Sequence, residues 1–414
     1  MKTGSFLLLP FLSLLILLFP SPATPSSSAV DISPDGSVDS TTHETQYSQD
    51  SVPSADIAPS APLEVPTIDI APLLAGSRDP SYHSTLASLI SAATTYGFFH
   101  ITNHGVSPGL IRKNKEAMKE FFSMDEEIKQ LLERTVGNSR GWSKSELTKN
   151  KLDIKELFDY GMVLPPDGAK SANPFNEGAT DIDSGLGSNQ WPTHITSRSS
   201  NLSPPTVPLI YMNSCTVLAH KLLNLLLTEL HIKLPDDDAT IASPKHHTSY
   251  NRWNYYPSTE VQPFDVAAPL GISPHTDAGL LTLLHQDPKR AEHPQLQVYS
   301  GSKEVFNDGV WIPVPPCPTD QWGFTVNVGD MLQVISKGYY KAPEHRVVRT
   351  PGPSTYSSAL FYNPAYGAVI KDDKGVGEEH YRDLYWAGYR RRRWEGDFKD
   401  VGEEVQIEAY RESF

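Results

Sequence analysis

A chain of 414 residues, 38% of them apolar and 10% aromatic, buries a core easily, so size excludes no globular fold class. Its 35 basic and 49 acidic residues leave a formal charge of −14, which repels phosphate backbones and anionic lipid surfaces and argues against nucleic acid as a partner. Cys215 and Cys317 are too few for a disulfide framework or a cysteine-rich zinc module, and Cys215 shares a helical apolar face with Leu218, Leu222 and Leu226.

Lys2 precedes an apolar run from Phe6 to Phe19 that exits on Ser21, Pro22 and Ala23, the pattern of a signal peptide over residues 1–23. The run is shorter than the roughly 20 residues a bilayer-spanning helix needs. The expected destination is therefore the secretory pathway, the ER lumen or the cell exterior, with an uncleaved signal anchor or a plastid address as alternatives. No membrane contact is expected apart from such an anchor. Residues 24–62 are rich in Ser, Pro, Ala, Asp and Thr and read as a disordered linker.

Globular sequence starts at Val65-Pro66-Thr67-Ile68-Asp69, and Leu86, Leu89, Ile90 and Ala93 then recur at helical spacing. Phe98 to Thr102 reads as a strand, Asn103-His104-Gly105 as a turn with a positive backbone angle at Gly105, and Leu110 to Phe122 as an amphipathic helix. Gly, Asn, Ser and Asp dominate from Asp167 to Ser200, which predicts a long loop before a leucine-rich helix of about Leu209 to Leu230. From Thr248 to Tyr362, β-rich runs such as Leu280 to Leu284, Leu296 to Tyr299 and Thr325 to Val328 alternate with turn residues, the spacing of a sandwich or barrel.

Within that β-rich part lies Ser273-Pro274-His275-Thr276-Asp277, where a strand's period of two puts His275 and Asp277 on one face. His345, in Ala342-Pro343-Glu344-His345-Arg346-Val347-Val348, offers a third donor that a jelly roll brings across the barrel. Two imidazoles and one carboxylate with open positions beside them make the facial triad of non-haem iron(II) oxygenases. In a chain with 14 histidines an H-x-D pair and a remote histidine are a weak signal, and the surrounding motifs decide their weight.

Those motifs resemble the iron(II)/2-oxoglutarate-dependent dioxygenase superfamily, in the branch of isopenicillin N synthase and the plant hormone and flavonoid oxygenases. The likeness runs from about Val65 to Arg411 and is carried by Val65 to Asp69, Gly97 to Val106, Asn189-Gln190-Trp191-Pro192, Asn254-Tyr255-Tyr256-Pro257, Gly271 to Asp277, Asn327-Val328-Gly329-Asp330 and Gly338 to Val348. It implies an α+β fold with a double-stranded β-helix (jelly roll) core over 201–375, an N-terminal α/β region over 63–200 and a C-terminal helical tail over 376–414. It further implies iron(II) held by His275, Asp277 and His345, with Asn254 beside the metal and Tyr256 and Ser357 near the far carboxylate of 2-oxoglutarate. Dioxygen and a small organic substrate complete the reaction, in which a C–H bond is hydroxylated, desaturated or otherwise oxidised.

The sequence departs from the family at one point. Where the family has Arg-x-Ser before Asn363-Pro364, this chain has Thr355-Tyr356-Ser357, so the guanidinium that clamps the 2-oxoglutarate C5 carboxylate is missing. Arg349, four residues after His345, would share that ligand's face on a regular strand and is the expected substitute. Two alternatives follow from the missing arginine: an oxidase of the same fold that does not use 2-oxoglutarate, and a catalytically silent metal-binding or interaction module. The bland readings are that His104 is structural, that Tyr255 fills the sandwich, and that Arg390 to Arg393 form a solvated helix face. Protein from the native host is expected to begin shortly after Ala23, which mass spectrometry of its N-terminus checks; an intact Met1 in a membrane fraction would favour the anchor.

Overall fold

The computed structural model describes residues 64–135, 137–149, 151–161, 189–192, 202, 205–232, 247–258, 270–300, 309–372, 376–396 and 405–412. The leader and linker expected over 1–62 and most of the loop expected from Asp167 to Ser200 lie outside them. The described residues belong to one compact unit. Among the described residues no helix is long and apolar enough to cross a membrane.

The first strands are β1 (Thr67–Asp69), β2 (Phe98–Thr102), β3 (Gly141–Ser143), β4 (Leu147–Thr148), β5 (Lys151–Leu152) and β6 (Glu156–Gly161). The β-rich half adds β7 (Tyr250–Tyr256), β8 (Ile272–His275), β9 (Leu281–Gln286), β10 (Leu296–Ser300), β11 (Val310–Pro313), β12 (Phe324–Val328), β13 (His345–Val347) and β14 (Thr355–Tyr362). An eight-stranded sheet runs β1-β2-β12-β9-β14-β7-β6-β3, and a four-stranded sheet runs β11-β10-β13-β8. This is the expected jelly roll with its flanking helices, and the N-terminal region contributes strands to both edges of the larger sheet.

Period-two patterning sorts the side chains of the central pair. In the β7–β14 register, Thr355 faces Tyr256, Ser357 faces Asn254, Ala359 faces Arg252 and Phe361 faces Tyr250. These residues line a cavity between the sheets, while the intervening Trp253, Leu360 and Tyr362 are buried in the core on the opposite face. That second face carries the helix Thr206–Glu229, which buries Cys215, Leu218, Leu222 and Leu226 as its spacing predicts and packs on β9 and β14. The helix Pro108–Phe122 also packs on β14. Helices, large sheet and small sheet thus form three layers. A smaller apolar cluster, including Phe98, Leu296, Val298, Ile312 and Val347, packs beside the cavity, and its Phe98, Leu296 and Val347 form part of the cavity's lining.

The Asn-His-Gly turn behaves structurally. Gly105 has φ +82°, and buried His104 places its Nε2 2.9 Å from the Trp322 carbonyl and its ring against Phe324. Burial also pushes His100 and His285 down to about 4, so both are neutral in the fold. An unfolded histidine titrates near 6.5, so between about pH 6.5 and 4 the unfolded chain binds more protons and stability falls as pH falls, by about 1.4 kcal/mol per pH unit for each histidine. Urea unfolding across this window should show the slope, and His285→Gln should reduce it. A slope unchanged in both His285→Gln and His100→Gln would assign the protons to other groups.

Candidate metal centre and its cavity

His275 ends β8 and His345 begins β13, where the two strands pair residue to residue. Asp277 lies just past the strand end, so a short turn rather than a regular strand brings it to the histidines. Asp277 Oδ1 is 3.8 Å from His275 Nε2 and 3.7 Å from His345 Nε2. Among the described residues this is the one group of three His, Cys, Asp or Glu side chains whose donor atoms converge, all within 4.8 Å.

The partners of these side chains leave the converging atoms free. His275 Nδ1 lies 2.8 Å from the Ser273 carbonyl and His345 Nδ1 3.1 Å from the Pro343 carbonyl. A carbonyl only accepts, so each Nδ1 carries the proton and each Nε2 presents a lone pair to the centre. Burial, with His345 close by, pushes His275 down to about 3 and keeps it neutral. Burial alone would raise the Asp277 carboxyl, but His345, His275 and hydrogen bonds from Asn327 and Thr282 outweigh it and hold the group below its ordinary range. Those bonds, 2.7 Å from Asn327 Nδ2 and 2.6 Å from Thr282 Oγ1, both end on Oδ2 and leave Oδ1 for a metal.

Gly329 makes the turn possible. A Cβ there would sit 2.3 Å from the Gly279 carbonyl oxygen and 3.0 Å from that of Asp277, so only glycine lets the two chain segments approach this closely. The Asp330 amide then donates to the Asp277 carbonyl at 2.8 Å. Asn327 and Gly329 belong to the Asn-Val-Gly-Asp motif; the sequence marks that motif but does not say what it holds.

Asn254, Tyr256 and Ser357 all line the cavity with the triad. Asn254 Nδ2 donates to Ser357 Oγ at 3.2 Å, while its buried Oδ1 has no hydrogen-bond partner. A buried orphan acceptor beside three convergent donors fits a cavity meant to hold a metal and a polar ligand. Tyr255 points the other way, stacked on Phe122 with ring centroids 5.6 Å apart.

Two expectations are corrected. Arg349 does not line the cavity: β13 stops at Val347, and its register shifts between His345 and Val347, so the count of two breaks before Arg349. The cavity instead receives Arg290, from the short 3₁₀ turn Pro288–Arg290. Nor is the run Arg390 to Arg393 a solvated face throughout. Arg391 and Arg392 are exposed, Arg393 is buried and donates to the Thr276 carbonyl at 2.7 Å, and Arg390 lines the cavity.

A buried ionic network that sequence reasoning missed forms the side wall. Arg252 grips Asp159 through Nε and Nη2, both at 2.8 Å, and Arg134 bridges Asp159 and Glu146. Lys155 bonds Glu146 at 2.6 Å and Asp153 at 3.3 Å. Three acids and three bases thus pair. Arg140 and Arg390 pack on the Tyr250 ring at 5.1 and 5.5 Å, and among the described residues neither has a carboxylate at ion-pair distance. The sequence signal was scattered single charges on separate strands, which no local pattern joins.

Comparisons with known proteins agree on one family. A model described as the 2OG-Fe(II) oxygenase superfamily matches residues 247–364, and one described as non-haem dioxygenase in morphine synthesis N-terminal matches 65–194. Gibberellin 20 oxidase 3 of Arabidopsis thaliana is 30% identical over 358 residues, covering 81% of this chain and 80% of its own length. A homoarginine-6-hydroxylase of Glycine max is 28% identical over 323 residues, with 74% and 87% covered. The crystal structure of JOX2 in complex with 2OG, Fe and JA superposes with a TM-score of 0.60 at 24% identity, over 85% of this chain and 90% of that one, and supports the fold.

If the three donors hold the metal, His345→Ala and Asp277→Ala should each abolish tight iron(II) binding. Asn327→Ala, which frees the carboxylate to rotate, should weaken it by about 10- to 100-fold. Iron titration of folded variants checks this, and full wild-type affinity in both triad variants would place the ligands elsewhere.

Proposed function

The chain belongs to the iron(II)- and 2-oxoglutarate-dependent oxygenase superfamily, and from that premise we propose that His275, Asp277 and His345 hold its iron and that its substrate is a small organic molecule carrying an anionic group. The enzyme oxidises a C–H bond of a small molecule. Bound iron supplies the chemistry by which dioxygen gives one oxygen atom to 2-oxoglutarate, releasing succinate and carbon dioxide, and directs the other at the substrate.

The convergence of two Nε2 lone pairs and Oδ1 of Asp277 on one point is the observation that carries the metal assignment. Around it the chain's own residues have separable tasks. The Ser273 and Pro343 carbonyls fix the imidazole tautomers, and Thr282 and Asn327 fix the carboxylate. Asn254, Tyr256 and Ser357 line the cosubstrate's share of the cavity, with the buried Tyr256 phenol kept protonated because burial raises its pKa. The walls exclude water, so that oxidising power reaches the substrate and not the solvent.

Arg390 and Arg140 favour the anionic group. Arg140 is buried, its pKa lowered to about 10 by burial and still cationic at neutral pH. Arg390 lines the cavity, Arg140 packs on the same Tyr250 ring behind it, and neither has a carboxylate at ion-pair distance among the described residues, a charge excess that favours a negatively charged guest. The relatives include a gibberellin oxidase, a jasmonate-induced oxygenase and a homoarginine hydroxylase.

Succinate release in the presence of organic acids and their methyl esters tests both parts. Acids should stimulate it and esters should not, and Arg390→Ala should raise the KM of a stimulating acid by about tenfold or more without changing 2-oxoglutarate affinity. Esters as effective as acids would remove the anionic group from the proposal; dioxygen use without succinate would point to the 2-oxoglutarate-independent oxidase.

A further inference from the structure

We propose that Arg290 clamps the C5 carboxylate of 2-oxoglutarate, replacing from a different element the arginine that Thr355 displaces; the proposal rests on the iron and 2-oxoglutarate reading above. Arg290 lines the same cavity as Tyr256, Thr355 and Ser357 and is 5% exposed. Its Nε donates to Thr355 Oγ1 at 3.3 Å, so its guanidinium reaches the side chain at the position where the family carries its own.

Charge balance separates Arg290 from the other candidates. Its remaining bonds go to neutral acceptors: Nη1 to Thr350 Oγ1 at 3.1 Å and the Pro351 carbonyl at 3.2 Å, and Nη2 to the Pro353 carbonyl at 2.8 Å. Four bonds leave one of the five guanidinium hydrogens, on Nη2, without an acceptor among the described residues. Among those residues no carboxylate lies at ion-pair distance, and nearby Asp287 is already bonded to Lys115 at 2.9 Å. Lys155, the other cation beside Tyr256, is paired with Glu146 and Asp153, and Arg349 is outside the cavity wall.

A buried cation without an anion is costly, and so is a dianionic cosubstrate with one carboxylate left in a dry barrel. Iron(II) and Asp277 together carry one positive charge, which the chelating C1 carboxylate neutralises. The C5 carboxylate then needs one more cation, and Arg290 has one to give. Thr355, small and hydroxylated, leaves the volume free for that side chain and orients it.

The alternative is that Arg290 only pins the Thr350–Pro353 segment. Anaerobic titration of iron(II)-loaded protein with 2-oxoglutarate and with 2-oxopentanoate, which has a methyl group in place of the C5 carboxylate, distinguishes the two. Wild type should prefer 2-oxoglutarate strongly. Arg290→Gln, which keeps hydrogen-bond donors but no charge, should reduce that preference by about 30-fold or more, leaving iron binding and 2-oxopentanoate affinity near wild type. Arg290→Lys should retain part of the preference, and Thr355→Arg added to Arg290→Gln should restore it. Equal weakening of both 2-oxo acids, or a preference that survives Arg290→Gln, would overturn the clamp while leaving the cosubstrate in place. Wild type that binds neither 2-oxo acid would overturn the cosubstrate reading and the clamp together.

Discussion

Asp277 Oδ2 accepts hydrogen bonds from Thr282 and Asn327, and the site is arranged around the carboxylate they hold. One oxygen is fully used by the protein, so the other can face only the histidines. Both donors come from the larger sheet, β9 and β12, while the histidines come from the smaller one. These bonds therefore tie the two sheets together where the three donor side chains converge. It also requires the Asp277 turn to lie against the start of the helix Asp330–Ile335, which is why position 329 carries no side chain.

Charge then organises the rest of the cavity. The side wall holds Glu146, Asp153 and Asp159 against Arg134, Lys155 and Arg252, a set that closes on itself and needs nothing from a ligand. Such a network gains little net stability over apolar packing, yet losing one member strands the others. It fixes the wall's shape. The cations with no carboxylate at ion-pair distance among the described residues lie elsewhere: Arg290 beside Thr355, and Arg140 and Arg390 around Tyr250, which faces Phe361 at the other end of the β7–β14 register. The lining of β7 and β14 thus runs between two electropositive ends, with the neutral Ser357–Asn254 pair and the Ala359–Arg252 pair, its guanidinium already held by Asp159 and Glu146, between them. This polarity suits two anionic guests that meet at a central metal.

Much of this was legible in the sequence because it is local. Alternation predicted the strands and heptad-like spacing predicted the helix Thr206–Glu229, since burial on one face leaves a periodic trace. The triad was legible because short motifs enclose each ligand. What escaped depends on distance across the fold. Arg252, Arg134 and Lys155 look like ordinary surface charges until the fold around the paired β6 and β7 buries Arg134 and Lys155 and half-buries Arg252. Arg390 to Arg393 looked solvated because four like charges in a row cannot all be buried; two of them are, wholly or partly, because the helix Trp386–Gly396 turns one side toward the barrel.

The failure at Arg349 is the more instructive one. A count of two from His345 assumes an unbroken ladder, but a metal ligand at a strand end is where ladders are bent to aim a side chain. β13 has three residues and shifts register within them. The same irregularity that places His345 carries Arg349 away from the cavity. Arg290, with no strand periodicity to recommend it, arrives because the turn after β9 folds over the end of β14, and its long side chain spans the gap that Thr355 leaves. A guanidinium on a three-carbon stem tolerates a change of anchor point better than a short ligand does, since only its head must be fixed. In a barrel of this kind the metal ligands are consequently tied to particular positions, whereas the cation facing the distal carboxylate is tied only to a location.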